Sequence, residues 1–408
     1  MGNTLNIGFV GGGQLAMMTA LEAKKISDYD FRINILDPSA DCPAHIFASQ
    51  HIIGDFKDPA AIRSLAEISD IITYEIELGD AKSLMELRNE GTEIHPSPET
   101  LEIIQDKVIQ KKFLDQKGIK VPNFLEVSSK EELRRAVKDL GIPCLLKSRR
   151  DAYDGRGNFV IRRKEEIDMA HERFIGKPVM VEEFIDFEKE VSIVAAKGQN
   201  EVAAYPAGEN QHEEGILIMT RMPAQISKEV EREAENVARR TLEAFNDQGV
   251  FGIEMFVVDG KILVNEVAPR VHNTGHGTLE KSAFVASQFE QHLRAISSAP
   301  LRGTEIREPV VMQNILGSKD SFVGPYTILG TKEVNLLPGV HLYLYGKKEV
   351  RPLRKLGHLS VVGNEHQRAD VEGTSDLLSE ESNMEVLVRR ARTAHSMLKV
   401  VPVQEHGS

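Results

Sequence analysis

The sequence predicts a mixed α/β and α+β protein in three parts, and three observations carry that reading. Over the first hundred residues, apolar runs of strand length alternate with helical patterns, as in a parallel sheet with crossover helices. Between residues 121 and 186 the order becomes strand, helix, strand, strand, helix, strand, a small α+β unit. From Glu190 the strands lengthen, and after Pro300 short strands between glycine turns close the chain.

The elements follow in order. LNIGFV (5–10) is a buried-type strand, GGGQLA (11–16) a glycine loop, and the helix after it runs to about Lys25. RINILDP (32–38), the helix AIRSLAEIS and the strand DIITY (70–74) continue the alternation, giving a Rossmann-like domain over 1–100 that ends near His95-Pro96-Ser97-Pro98. Gly11, Gly13 and Ala16 match G-x-G-x-x-A, with Asp37 about twenty positions on. This admits an NAD(P)-dependent dehydrogenase, although such glycines equally serve a turn beneath another phosphate. One continuous helix, ETLEIIQDKVIQKKFLDQKG, is expected to lead to Val121-Pro122. The central domain (101–300) divides into a small subdomain (121–186) and a larger one (187–300), the latter with helices at KEVEREAENVARRTLEAFND and SAFVASQFEQHLRAI. The β-rich closing domain (301–408) ends on the amphipathic helix SEESNMEVLVRRARTAHSMLKV.

Composition narrows the function classes. At 408 residues, with 41% hydrophobic and 27% charged residues, the chain reads as soluble and globular. A net charge of −12 argues against nucleic acid or an anionic membrane as partner. Cys42 and Cys144 have no metal-ligand spacing, which suits a reducing, cytoplasmic compartment. No apolar run approaches the ~20 residues of a membrane span.

The chemistry concentrates in IEMFVVDGKILVNEVAPRVHNTGHGT (253–278), a hairpin about Asp259-Gly260. Each arm carries one carboxylate, Glu254 and Glu266. A two-residue loop would set Glu254 opposite Asn265 and turn Glu266 to the other face. A three-residue loop, with Gly260 left-handed in a bulge, brings Glu254 and Glu266 together, and this is the expected form. Two carboxylates so close need a cation between them, and oxygen-only ligation suits Mg²⁺. Lys147 ends a strand before Asp154-Gly155-Arg156-Gly157, a loop fit to approach phosphate and expected to be mobile over 148–158 without nucleotide. In VMVEEFI (179–185), backbone at Glu183 and Ile185 suits adenine, and Glu190 suits ribose hydroxyls. His272 and His276 admit a zinc reading, weakened by the Asn-Thr-Gly between them and the lack of a nearby Cys. Lys347, Lys348, Arg351, Arg354 and Lys355 form a cationic cluster in an acidic chain, either a solvated face or a grip on an anion.

Together with Lys107, these residues resemble the ATP-grasp superfamily, in which two α+β subdomains close on ATP. The segments YEIE (74–77), AYDGRGN (152–158), EKEVS (188–192), VFGIEMF (250–256), NEVAPRVHNTGHGT (265–278), SQFEQHLRAI (287–296) and LPGVHLYLYGKKEVRPLRKLGH (337–358) are similar to those of 5-(carboxyamino)imidazole ribonucleotide synthetases, from residue 5 to about 363. The resemblance implies an ATP-grasp fold with a Rossmann-like (pre-ATP-grasp) N-terminal domain and a small C-terminal β-rich domain. It implies a ligase that carboxylates 5-aminoimidazole ribonucleotide with ATP and bicarbonate through carboxyphosphate, in purine biosynthesis.

The resemblance also implies roles for particular residues. ATP is met by Lys107, Lys147, Tyr153, Asp154, Gly155, Arg156, Gly157, Asn158, Glu182, Glu183, Phe184, Ile185, Glu190, His212, Asn265 and Glu266; Mg²⁺ is held by Glu254 and Glu266. The acceptor is met by Glu75, Tyr153, Asp154, Arg156, Arg270, His272, Asn273, Thr274, Lys347, Arg354 and Lys355, with Glu75, Asp154, Arg270 and His272 at the chemistry. The family further implies a homodimer and a functional link to a downstream mutase. This sequence departs from the family at Ala16-Met17, Val271 and Gly277. The runner-up within the superfamily, a formate-using glycinamide ribonucleotide formyltransferase, is disfavoured by SQFEQHLRAI and YGKKEVR.

Overall fold

Five parallel strands open the chain. In the computed structural model, which describes residues 4–151, 157–363 and 383–403, the order is β1 (Thr4–Val10), α1 (Gln14–Ala23), β2 (Asp30–Asp37), β3 (Gln50–Ile53), α2 (Pro59–Glu67), β4 (Ile71–Tyr74), α3 (Ala81–Asn89) and β5 (Glu93–Ile94). The sheet runs β3-β2-β1-β4-β5 with every pair parallel. Local signals start its helices: Asp58 caps α2 with Pro59 in the first turn, and Asp80 caps α3. Tyr153, Asp154, Gly155 and Arg156 lie outside the described residues, as does the whole 152–156 part of the 148–158 loop expected to be mobile.

The expected single linking helix is two. It breaks at Asp106 into α4 (Pro98–Gln105) and α5 (Lys107–Gln116). Asp106 is extended, and its buried carboxylate accepts from Val108 N (3.0 Å) and Ile109 N (3.4 Å) as the cap of α5. The same carboxylate takes Arg149 (2.8 Å) and Arg150 (3.1 Å) from the small subdomain. One short side chain thus caps a helix and neutralises two guanidiniums, which a straight helix would not permit.

The small subdomain comprises β6 (Phe124–Val127), α6 (Lys130–Leu140), β7 (Cys144–Ser148), β8 (Asn158–Ile161), α7 (Glu166–Arg173) and β9 (Val179–Glu183). Its antiparallel sheet runs β6-β9-β7-β8. The larger part contains β10 (Lys189–Lys197), β11 (Val202–Ala204), β12 (Gly208–Glu213), β13 (Ile216–Met222), α8 (Lys228–Phe245), β14 (Gly249–Val258), β15 (Lys261–Ala268), a 3-10 segment (Asn273–Leu279) and α9 (Gln288–Ile296). The helix expected over 282–296 begins only where the Ser287 hydroxyl accepts from Glu290 N. The chain closes with β16 (Val310–Leu316), β17 (Gly324–Leu329), α10 (Thr331–Asn335), β18 (Val340–Leu344), β19 (Glu349–Val350), β20 (Lys355–Val362), α11 (Asn383–Ser396) and β21 (Lys399–Pro402).

The β-rich C-terminal part does not begin a sheet of its own at residue 301. β16, β20 and β18 extend the large sheet, which runs β15-β14-β10-β12-β13-β16-β20-β18 with β11 on β10. Among the described residues of this part, only β19-β17-β21 forms a separate sheet. This continuity carries the cations between β18 and β20 to the cavity beside β14 and β15.

Candidate active site

The hairpin β14–β15 reaches the expected pairing by an unexpected route. Asp259 and Gly260 both take positive φ (48° and 68°), and Val258 pairs with Lys261, so the turn has two residues and not three. By itself that loop would separate the carboxylates. Met255 pairs with Val264 but Glu254 pairs with Glu266, so Asn265 is the extra residue of a β-bulge. The bulge lies one pair from the carboxylates, and the loop is not its origin.

Cations surround the pair. Lys107, in the first turn of α5, is ion-paired with Glu266. Burial opposes the charge on Glu266, but the Lys107 ammonium outweighs it and holds the carboxyl below its ordinary range. Among the described residues Glu254 has no lysine or arginine paired with it: burial, then the neighbouring Glu190 carboxylate, push it up to about 7. Lys147, from the end of β7, is ion-paired with Glu182 on β9, and Lys111 Nζ lies 2.8 Å from the other oxygen of Glu182. Burial works against this carboxylate, yet Lys147 and Lys111 pull it down to about 2.

Beyond the lysines lies a pocket for a flat apolar group over a polar floor. Phe184, Ile185 and Phe187 line it, and Phe187 stacks on Phe256 at 4.8 Å between ring centroids. Glu190 on β10 lies 2.9 Å from His212 Nδ1 on β12; burial lowers the imidazole pKa, but hydrogen bonding to Glu190 outweighs it and raises it. Of the Glu183 backbone, from which an adenine contact is expected, the N–H already donates to Asn123 O (2.9 Å). Gly157, Asn158 and Asn265 line the same space.

At the other end the glycine loop has a different occupant from the one its fingerprint suggests. Glu75, just past β4, sets its carboxylate at the N-terminus of α1, where Leu15 N donates to it (3.2 Å). A Cβ on Gly13 would stand 2.3 Å from that carboxylate, so the glycine makes room for Glu75. Asp37 accepts from Gly12 N (2.9 Å) and Ser39 N (2.8 Å), and so braces the loop from within. The dehydrogenase reading fails here because the protein's own acid fills the anion position. Burial raises Glu75 to about 7, with Arg270 opposing the rise.

Arg270 is held by a residue the sequence reasoning passed over. Its Nε and Nη2 lie 2.9 and 3.2 Å from the two oxygens of Glu77, and Nη1 donates to Val271 O (3.0 Å). His272 Nδ1 faces Thr274 Oγ1 (2.9 Å), and its Nε2 points at Glu254 (3.6 Å). Burial, with Arg270 and Lys355 nearby, keeps His272 well below its ordinary pKa, hence neutral. Asn273 lines the cavity, and among the described residues its buried amide oxygen and nitrogen have no hydrogen-bond partner. Thr274 is fully buried behind His272 and lines no part of the cavity, so it orients the imidazole; the direct contact expected of it is not available.

Lys347, Arg354 and Lys355 line this end, with Lys348 and Arg351 beside them. All the described candidates except Thr274 meet in one cavity of about 1610 Å³. The departures Met17, Val271 and Gly277 are buried outside that lining. Sequence reasoning missed Glu77, Asp106, Gln110 and Lys111. YEIE carries Glu77 two residues after Glu75, and Lys107 and Lys111 are four apart, on one face of a helix starting at 107.

Comparison with known proteins agrees along the chain. The family model of the ATP-grasp domain matches residues 112–289, that of the ribonucleotide synthetase preATP-grasp domain residues 4–105, and that of the phosphoribosylaminoimidazole carboxylase C-terminal domain residues 310–372. The N5-carboxyaminoimidazole ribonucleotide synthase of Bacillus subtilis is 36% identical over 356 residues, 87% of this chain and 90% of that protein. The Brucella melitensis enzyme of the same name is 39% identical over 358 residues, 87% of this chain and 95% of its own. The crystal structure of the Thermotoga maritima synthetase superposes with a TM-score of 0.83 at 39% identity, over 98% of this chain and 99% of that one. An Aspergillus clavatus synthase in complex with ADP and 5-aminoimidazole ribonucleotide gives 0.83 at 30% identity, over 97% of this chain and 100% of its own.

Fold and site therefore define an ATP-grasp enzyme, built on a pre-ATP-grasp domain and closed by a β-rich C-terminal part. Within that class, the chain belongs to the N5-carboxyaminoimidazole ribonucleotide synthase family.

Proposed function

We propose that this enzyme carboxylates the exocyclic amine of 5-aminoimidazole ribonucleotide, using ATP and bicarbonate and releasing ADP and phosphate. One observation carries the reading: a single cavity brings the facing carboxylates, the two phosphate-type lysines and the C-terminal cation cluster together from three parts of the chain. In this reading Lys107 and Lys147 hold the ATP phosphates, backbone near Ile185 meets adenine, and Glu190 with His212 holds the ribose. Asn158 and Asn265 complete the nucleotide wall.

The donor set fits Mg²⁺. Two carboxylates share one face of the bulged hairpin, and Lys107 already sets a positive charge against one of them. When bound, the ion would neutralise phosphate charge during transfer. A bicarbonate oxygen attacks the γ-phosphorus, giving carboxyphosphate and ADP. Carboxyphosphate breaks to CO₂ and phosphate inside the site, and the amine nitrogen attacks the carbon of CO₂ and gives up a proton. Arg270, clamped by Glu77, presents a planar cation to the bicarbonate-derived group. Neutral His272 and the unpartnered amide of Asn273 orient the acceptor. Glu75, raised to about 7, takes the amine proton. Lys347, Arg354 and Lys355 grip the acceptor's 5′-phosphate.

The homodimer, the link to a downstream mutase and a cytoplasmic setting belong to the same proposal. Two unpaired cysteines suit a reducing compartment. No helix among the described residues is long and apolar enough to cross a membrane. The test is ADP release measured with each substrate omitted in turn. Release should require both bicarbonate and 5-aminoimidazole ribonucleotide; release with formate and glycinamide ribonucleotide would overturn the reading.

A further inference from the structure

The two-residue turn leaves a question that the hairpin cannot answer internally. An Asp-Gly turn of this kind specifies a regular ladder in which Glu254 faces Asn265 and Glu266 points away. Something outside the hairpin must favour the bulged register. β15 is an edge strand of the large sheet, so beyond β14 only other elements can hold its backbone.

The first turns of α5 do so. Gln110, 2% exposed, donates through Nε2 to Val267 O (3.0 Å) and accepts through Oε1 from Val267 N (3.0 Å). Its amide thus takes the place of a paired strand residue just past the bulge. Lys111, also 2% exposed, donates to the carbonyl oxygen of the bulged Asn265 itself (3.1 Å). On the other side of the bulge, Val264 N donates to Lys120 O (2.8 Å). In the regular register these backbone groups would shift by a residue, leaving a buried amide and a buried ammonium with misplaced partners. α5 acts as a ruler along β15, and Asp106 fixes where it starts.

We infer that Gln110 and Lys111 are positioning residues: by holding the bulge at Asn265 they turn Glu266 onto the face of Glu254 and so build the metal-binding pair. The inference rests on the proposed role of that pair. Lys111 has a second task, its 2.8 Å contact with Glu182, whereas the Gln110 side-chain amide bonds to the Val267 backbone. Gln110→Met is therefore the decisive variant.

The probe is Mn²⁺ added to the full-length enzyme saturated with ADP, with free ion read by electron paramagnetic resonance. Gln110→Met should weaken Mn²⁺ binding by roughly 10- to 100-fold, as loss of an outer partner does at metal sites. Metal-free ADP affinity should stay unchanged, and excess Mg²⁺ should restore turnover. Lys111→Met should lose Mn²⁺ in the same way. A Gln110→Met enzyme that melts earlier yet binds Mn²⁺ like the wild type overturns the inference, because its role is then only structural. Should Gln110→Met fail to fold, Gln110→Glu keeps the acceptor for Val267 N and loses the donor; wild-type Mn²⁺ affinity there is equally fatal. Glu254→Gln and Glu266→Gln separate the two levels. If they too keep Mn²⁺, the metal reading has failed; if they lose it while the Gln110 variants keep it, only the positioning role has failed.

Discussion

Replacing Glu182 with Gln keeps the shape of a buried side chain and removes the one charge shared by Lys111 and Lys147. Glu182 is 1% exposed, with Lys111 at 2.8 Å and Lys147 on its other oxygen. The fall of its pKa from 4.5 to about 2 corresponds to roughly 3 kcal/mol of folding free energy at neutral pH. An independent expectation, breaking a buried ion pair on one side, is about 3–5 kcal/mol. A loss of about 3 kcal/mol is therefore predicted. The chain has no tryptophan, so urea unfolding is followed by far-UV circular dichroism. The pH arm has a definite sign. The folded-state pKa is depressed, so the stabilisation is complete above 4.5 and fades as pH falls towards about 2. Wild type and variant should differ fully at neutral pH and converge below pH 4.5. Equal stability at neutral pH, or a gap that survives acidification, refutes the reasoning. Adding Lys111→Met to Glu182→Gln should cost less than the sum of the single changes, since the two residues are in contact.

Other outcomes are expected from the same geometry. Glu254→Gln or Glu266→Gln should abolish ADP formation in a folded protein; near-normal turnover at saturating Mg²⁺ contradicts the paired-carboxylate site. Neutralising Lys347 or Arg354 should raise the acceptor's KM by roughly ten- to a hundredfold with ATP affinity little changed. The control is the dephosphorylated nucleoside, against which these variants should lose almost nothing. Leu353 stands at φ 60° between Arg351 and Arg354, a conformation costly for a branched side chain. Leu353→Gly should raise the urea midpoint by an amount equivalent to at most about 1 kcal/mol, and a lower midpoint would mean that its packing outweighs the strain.

Locally encoded features were legible in the sequence. The alternation of strands and helices in the first hundred residues predicted a parallel sheet, and five parallel strands are present. The β-α-β-β-α-β order of the small subdomain was equally plain, because period and length distinguish its strands from its helices. Lys147 and the 182–185 strand end stood out by their place beside glycines and apolar runs, and the structure sets them on the wall of one cavity. The glycine fingerprint misled in one respect: pattern alone cannot say that Glu75, sixty positions from Leu15, fills the anion position it creates. The break at Asp106 was hidden likewise, since α4 and α5 share one helical periodicity and the arginines that favour the break come from β7's end.

The hairpin divides the two kinds of information most clearly. By itself the sequence determined that a hairpin forms, that it turns at Asp259-Gly260, and that each arm carries one carboxylate. Only the tertiary structure decided that the carboxylates face each other. The turn is a local preference of two residues, whereas the bulge is held by Gln110 and Lys111, more than 150 positions away. A strand's side chains alternate, so a single extra residue reverses which face each occupies, and no local pattern records a residue that distant backbone contacts hold out of the ladder.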